Sequence, residues 1–308
     1  DGVEFAKLRT PKYRGNSVSK LLNMLAFKRE LRRLYTRLPG PLPDVIIGSS
    51  PHPFAADEAR RIAGRLGVPF VYEVRDLWPR TLVDVGGMSN YHPLVVWFRM
   101  LERRLCRDAA RVITLLPDSH SHFEALGVDR DRILHVPNGV DMKMVPAANA
   151  PPREGPFRIM FLGLHGLVYG LGTILDAAQI LKQTPGAPAI EFVLVGDGPE
   201  KQGLQERARN DGIENVVFLD SVPKSRVYET MGDADAFIML TRRCDIHNSG
   251  VSPNKLYDYM SMARPVLYAI EGSSNIIDRA DAGITVPPED GSALAEAAVR
   301  LAGLGVDV

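Results

Sequence analysis

The chain is poor in several things at once. Only two of its 308 residues are cysteine, Cys106 and Cys244. Neither has metal-ligand spacing to another such residue, which points to reduced thiols in a cytosolic protein. No apolar run approaches the roughly 20 residues that span a bilayer. The opening residues do not read as a secretory leader. Internal repeats and low-complexity tracts are missing, and no paired-carboxylate metal motif is apparent. Net charge is missing too, with 37 basic against 37 acidic side chains. That balance excludes a uniformly basic protein that coats nucleic acid.

What is present is an ordinary globular composition, 45% hydrophobic and 24% charged. Such a chain can bury enough apolar surface to offset its ordering entropy, which excludes disorder. A length of 308 suggests two domains. The zero charge is itself a sum of opposites. Residues 1–150 hold 23 basic and 16 acidic groups, a net +7, and residues 151–308 hold 14 and 21, a net −7. Residues 1–37 alone carry 10 basic and 3 acidic groups, so the positive excess is concentrated there. Within it, Lys20, Lys28, Arg29, Arg32, Arg33 and Arg37 are interleaved with Leu21, Leu22, Leu25, Phe27, Leu31 and Leu34. This reads either as a basic amphipathic helix for an anionic bilayer or as a solvated helix with its apolar side on a sheet.

Short apolar runs alternate with helical periods along the whole chain. Strands are predicted at 45–47, 70–72, 112–115, 159–162, 192–195, 216–219, 236–240 and 265–268. Helices are predicted at 54–66, 93–108, 171–183, 199–210, 225–232, 254–262 and 292–302. The alternation implies α/β architecture with parallel sheets and helices on both faces. Residues 145–156 carry four prolines and no periodicity, and read as a linker. The organisation expected is a first domain over 1–144, the linker, and a second domain over 157–308, enclosing a cleft. Ligands of such folds bind beyond the carboxyl ends of the strands.

Six constellations fall at strand ends or helix starts. Ser252-Pro253-Asn254-Lys255 looks like a capped helix start, with Ser252 as N-cap and Pro253 at the first helical position. Its free N–H groups and dipole would attract an anion, with Lys255 adding charge, and Asp258 shares a face with Asn254. A capped surface helix with a solvated Asp258 fits equally well. Gly196-Asp197-Gly198-Pro199 and Gly163-Leu164-His165-Gly166 follow strands, and their glycines suit either a close backbone approach to a ligand or plain turns. His52, in Ser49-Ser50-Pro51-His52, and Asp76, in Arg75-Asp76, end neighbouring strands; a loop histidine and a local ion pair are their plain alternatives. Asn138-Gly139 reads as a hinge-like turn.

Taken in order, these motifs resemble one family, the GT-B glycosyltransferases of family 4. The likeness is strongest to bacterial O-antigen, capsule and aminosugar transferases similar to L-fucosamine transferases. Pro137-Asn138-Gly139-Val140-Asp141, Val195-Gly196-Asp197-Gly198-Pro199 and Ser252–Met260 carry it. The resemblance implies two Rossmann-like domains and transfer, with retention, from a nucleotide-diphosphate sugar, with a UDP-linked N-acetyl aminosugar expected. The acceptor would be lipid-linked and the protein peripheral on the inner face of the plasma membrane, with no cofactor or metal. It places the diphosphate and sugar at Ser252, Pro253, Asn254 and Lys255, with Gly163, His165, Gly166, Gly196 and Gly198 nearby. It places the ribose on Asp258, the base near Val222, and the transferred sugar near His52, with Asp76 its catalytic partner.

Three departures accompany the likeness. Gly250 stands where the family's first acid of Glu-x7-Glu would fall, and Leu164-His165 stands where a phosphate-binding arginine would fall. The family's opening strand and glycine-rich loop and its closing helix are not recognisable, so a fragment is expected. Two other readings remain open from sequence: a UDP-N-acetylglucosamine 2-epimerase-like enzyme, and a nucleotide-sugar-binding protein without transfer activity.

Overall fold

The run Ile159-Met160-Phe161 forms a strand buried on both faces, whereas along Phe70–Val74 only alternate residues are fully buried and neighbouring Ile47 and Leu134 stand exposed, so the expected helices on both faces hold for the second sheet and not the first. A computed structural model describes residues 2–13, 18–36, 41–50, 52–84, 86–146, 155–244, 249–272 and 274–304. It divides into two units, Asp1–Pro137 and Asn138–Val308. The division falls ahead of the proline-rich 145–156 stretch, much of which lies outside the described residues. Asn138 belongs to the second unit because its backbone N–H and side-chain amide both donate to Ser252.

The first unit begins with α1 (Val18–Tyr35) and continues through β1 (Ile46–Ser49), α2 (Pro53–Leu66), β2 (Phe70–Val74) and α3 (Arg80–Asp84). It ends with α4 (Pro93–Asp108), β3 (Arg111–Thr114), α5 (His120–Ala125) and β4 (Ile133–His135). The strands form a parallel sheet in the order β1-β2-β3-β4. Helices α2 and α4 open alike. His52 and His92 each accept a backbone N–H on the ring Nδ1, and a proline follows at the first helical position. The apolar stripe of α2, including Phe54, Ala56, Ala59 and Ile62, is buried.

Helix α1 lies on α2 through charge. Lys28 Nζ donates to Asp57 at 2.6 Å, and Arg32 grips Glu58 with two bonds of 2.7 and 2.8 Å. The basic segment is therefore partly spent inside the unit. Asp57 and Glu58 are buried. Burial pushes both carboxyls up, but Lys28 with Arg60 and Arg61 on Asp57, and Arg32 on Glu58, outweigh it and hold both below the usual range.

The second unit runs β5 (Phe157–Leu162), α6 (Gly172–Gln183), β6 (Ile190–Val195), α7 (Lys201–Asn210), β7 (Val216–Leu219), α8 (Val227–Met231) and β8 (Ala236–Leu240). It closes with α9 (Asn254–Ser261), β9 (Val266–Ala269), α10 (Ile276–Arg279), β10 (Gly283–Thr285) and α11 (Gly291–Leu304). The sheet order is β10-β9-β8-β5-β6-β7, all parallel. Alternate strand residues supply two cores. Ile159, Phe161 and Ile238 pack with α6 and α11, while Met160, Phe237 and Met239 pack with α9. The chain runs outward from β5 to β7, then returns to β8 on the other side of β5. That reversal opens a crevice at the carboxyl ends of β5 and β8.

The sheet elements differ from the expected set at their margins. Strands β4 and β10 and helices α3, α5 and α10 are too short to leave a periodic signature. Helix α7 starts at Lys201, and α8 is preceded by a 3-10 turn at Lys224–Arg226.

The α1–α2 ion pairs set an asymmetric expectation. Arg32→Ala removes both hydrogen bonds to a buried carboxylate, leaving Lys28 and Arg61 to act on it through space. It should destabilise the first unit by about 1–3 kcal/mol, less than a fully buried pair because Arg32 is half exposed. Glu58→Gln removes the charge that needs a partner and should cost less. Urea unfolding of the two variants checks the order. Because both carboxyls titrate below their unfolded values, their contribution is present above about pH 4 and is lost as pH falls further.

Candidate anion site at the strand ends of the second unit

The crevice between β5 and β8 is floored by backbone. Gly163 N–H donates to Val195 O at 2.9 Å, Gly196 N–H to Leu219 O at 3.2 Å, and His165 N–H to Asp197 O at 2.8 Å. These bonds extend the sheet ladder past the strand ends and bring the two glycine loops together. The approach is too close for side chains. A Cβ on Gly196 would lie 1.9 Å from Gly163 O, and one on Gly163 would lie 2.6 Å from Lys255 Nζ. Gly198 and Gly166 lie in the same two loops, and Glu200 N–H returns a bond to His165 O at 3.0 Å. Lys201 ties the loops together by donating to Gly196 O, Leu219 O and Asp220 Oδ1 at 2.9, 3.0 and 2.8 Å. Val222 follows the end of β7.

Helix α9 stands over this floor. Its position is fixed by Tyr259, which stacks on Phe237 at 4.6 Å between centroids. The Tyr259 hydroxyl accepts from Leu162 N–H at 2.9 Å and donates to Leu162 O at 3.2 Å. The expected Ser252 cap is corrected by the structure. Pro253 occupies the N-cap position in extended conformation, with no side chain bonded to the first-turn N–H groups, and Asn254 begins the helix. The Ser252 hydroxyl is engaged elsewhere, accepting Asn138 N–H at 3.2 Å and pairing with Tyr257 OH at 3.2 Å. The positive end of α9 is thus left without a side-chain acceptor.

Two bases face this region. Lys255 Nζ is buried with no hydrogen-bond partner. It lies over the Phe161 ring at 4.2 Å and the Tyr169 ring at 3.8 Å. Burial lowers its pKa to about 7. His165 is fully buried, and neither ring nitrogen has a partner. Burial lowers its pKa, and Lys201 and Lys255 push the same way against Asp197. One turn along α9, Asp258 Oδ1 accepts the Tyr228 hydroxyl at 3.0 Å.

Sequence reasoning missed several of these groups. Phe161 and Tyr169 look like core aromatics, and only their stacking on Lys255 marks them. Arg242 follows β8 at the crevice, its stem along Gly170 and its N–H donating to Val168 O at 2.8 Å. Gly250 has a φ of +83°, which a glutamate would hold only under strain.

His52 and Asp76 lie in the first unit. His52 Nδ1 accepts Ala55 N–H at 3.0 Å, so neutral His52 carries its proton on Nε2, which is buried and unpartnered. Burial lowers the His52 pKa. Phe27 covers the ring at 4.9 Å. Burial raises the Asp76 carboxyl, with Arg75 opposing. No hydrogen bond joins the two side chains; Ser50 Oγ links their strand ends by accepting Arg75 N–H at 3.0 Å. Among the described residues no three His, Cys, Asp or Glu side chains gather as a metal's ligands.

Two Rossmann-like units of parallel strands, one with an anion-ready crevice at its switch point, define a GT-B architecture. Comparison with known proteins agrees. Residues 1–139 match the family described as glycosyl transferase 4-like domain, and residues 156–303 match glycosyl transferases group 1. The chain belongs to the GT-B glycosyltransferases of family 4. It is 25% identical over 241 residues to glycosyltransferase WbjE of Pseudomonas aeruginosa, covering 75% of this chain and 59% of WbjE. It is 24% identical over 272 residues to the amylovoran biosynthesis glycosyltransferase AmsK of Erwinia amylovora, covering 85% and 65%. The chain thus spans about three-fifths of the length of these relatives. Anabaena HepE, solved in complex with UDP, superposes with a TM-score of 0.66 at 17% identity, over 93% of this chain and 74% of HepE.

The two close approaches separate binding from folding. Gly163→Ala meets the end of a lysine side chain rather than backbone, but holds Ala at a φ of +151°, so it should cost about 1–3 kcal/mol and displace Lys255. Gly196→Ala meets a backbone oxygen and should destabilise far more. Urea unfolding together with UDP titration distinguishes them; equal stability losses would contradict the stated geometry.

Proposed function

We propose that the chain transfers a sugar from a nucleotide-diphosphate sugar to a lipid-linked acceptor in surface polysaccharide or O-antigen biosynthesis, with retention at the anomeric carbon. A UDP-linked N-acetyl aminosugar is the expected donor. The observation that carries this reading is the uncapped start of α9 with unpartnered Lys255 beside it. Glycosyl transfer separates a sugar that becomes oxocarbenium-like from a diphosphate that gains negative charge. Fixed donors aimed at the leaving group lower that barrier. The α9 N–H groups, Lys255 and the backbone at Gly163, Gly166, Gly196 and Gly198 would hold the diphosphate, so the reading requires no metal ion or cofactor. Asp258 would receive ribose hydroxyls, and backbone near Val222 the base. His52 would donate through Nε2–H to a substrate oxygen and orient it, with Asp76 as its catalytic partner. The relatives WbjE and AmsK, a glycosyltransferase and an amylovoran biosynthesis glycosyltransferase, and the UDP-bound structural neighbour HepE support the reading.

A thermal-shift screen across nucleotides and nucleotide sugars tests donor binding, since a ligand of the folded state raises Tm. Uridine diphosphate compounds should stabilise most. In a transfer assay with a lipid-linked acceptor, Lys255→Ala should lower turnover about 100-fold. Wild-type protein that binds nucleotide sugars but transfers nothing would leave a binding function. Donor turnover at the sugar without acceptor would favour the epimerase alternative.

The acceptor side would rest on an anionic membrane surface at the inner face of the plasma membrane. No helix among the described residues is long and apolar enough to cross a membrane. Exposed Leu22 and Leu25 on α1, and Val96, Trp97 and Met100 on α4, support interfacial docking. Nearby Arg29, Arg33, Arg103 and Arg104 are also exposed. Co-sedimentation with anionic liposomes should fall as salt rises and should weaken in a Trp97→Ser, Met100→Ser double variant. Binding indifferent to anionic lipid and to salt would refute this docking.

A further inference from the structure

Lys255 is placed unusually for an anion-binding lysine. Its Nζ lies between the Phe161 and Tyr169 rings, without a hydrogen bond, and out of water. Gly163 makes room for it, since a Cβ there would collide with Nζ at 2.6 Å. Among the described residues no acid is bonded to Nζ, and Arg242, beside Gly170, is itself a cation. On the β5 side stand His165 and Tyr169; on α9 itself, Asp258 is bonded to Tyr228 and Tyr259 to Leu162. Farther along the floor, Asp220 is taken by Lys201, and Asp197 Oδ1 accepts Gly198 N–H at 2.7 Å. His165 presents a second, independent vacancy for a partner, with both ring nitrogens buried and free. Two bases therefore face one region, and among the described residues no acid is hydrogen-bonded to either, Asp197 acting on His165 only through space.

We propose that the rings of Phe161 and Tyr169 are positioning residues that hold Lys255 as a proton acceptor, so that an entering diphosphate is bound together with a proton taken up from solvent. The inference rests on the donor-binding reading above in identifying the anion as the donor's diphosphate. Burial in the empty crevice favours the uncharged amine, and the ring faces offset only part of that cost by attracting the ammonium. A diphosphate beside Nζ supplies the opposite charge and stabilises the ammonium; the water or buffer acid that yields the proton becomes its conjugate base. By linkage, whatever raises the affinity of Lys255 for a proton is itself bound more tightly when that proton is present.

With Lys255 titrating near 7 when empty and higher when occupied, affinity is level below about pH 7. It weakens by up to about tenfold per pH unit above that, until the occupied midpoint is reached. An arginine at this position keeps its charge throughout, so Lys255→Arg should bind with little dependence on pH in this range.

The test reads the lysine itself. Protein labelled with 13C at lysine Cε is titrated alone, with UDP-N-acetylglucosamine, and with inorganic pyrophosphate, and Lys255→Arg assigns the signal. The free protein should show one lysine with a midpoint near 7. Either anion should raise that midpoint by at least about one unit. Phe161→Leu and Tyr169→Leu should each move the midpoint of the free protein toward the ordinary lysine range by admitting water, and should reduce the proton taken up on binding. Tyr169→Phe keeps the ring and should behave as wild type. A Lys255 signal that titrates with the surface lysines in the free protein overturns the proposal. So does a midpoint that neither anion moves. If pyrophosphate raises the midpoint while the sugar nucleotide does not bind, proton-linked anion capture stands and the donor reading fails instead.

Discussion

A buried ammonium needs a negative partner, and nothing the structure describes supplies one to Lys255. Most of the second unit's crevice is arranged around that deficit. Gly163 lacks a side chain where Nζ must lie. Phe161 and Tyr169 close the space around it. Tyr259 bonds both backbone groups of Leu162, so the helix carrying Lys255 and the strand carrying Phe161 cannot drift apart without breaking two hydrogen bonds in a dry core. The geometry is costly for an empty protein and favourable once an anion is present, because burial that penalises a lone charge strengthens a paired one.

The helix starts make the same point by contrast. At α2 and α4 a histidine fills the cap and a proline begins the helix, so the first-turn donors are partly satisfied within the chain. At α9 the residue before the helix is proline, which has nothing to offer, and Ser252 is held away by Asn138 and Tyr257. The loop motif around Asn138 thus acts on the site through Ser252. Its two contacts keep a competent capping group from closing the cap.

This arrangement was only partly legible in the sequence. The inner strands β5, β6, β8 and β9 of the second unit could be read because most of their residues are buried on both faces, giving unbroken apolar runs. The glycine loops and Lys255 could be read because they follow strands or open a helix. Ser252 misled because Ser-Pro-Asn fits a capping pattern, and only the distant Asn138 decides which group the hydroxyl serves. Phe161 and Tyr169 were invisible because a ring under a lysine has the same sequence signature as a ring in a core. The tautomer of His52 depends on Ala55 N–H, a contact that spacing suggests but does not identify. Strands of three residues, such as β4 and β10, carry too few positions for any period to emerge.

Charge is where sequence and structure diverge most. Residues 151–308 are acidic by 7, yet they hold the candidate anion site. The two facts are compatible because net charge and local potential obey different screening. Surface carboxylates such as Asp220 stand in water, where their fields fade within about 10 Å at moderate salt. Lys255 lies in a region of low dielectric near the α9 N–H groups, where its charge, once it is protonated beside an anion, acts far more strongly than a surface charge does. The first unit shows the reverse. Its basic opening segment is spent in part on Asp57 and Glu58, so a positive sum there does not translate into free positive surface. In both units what an approaching anion would meet is set by which charges are already paired.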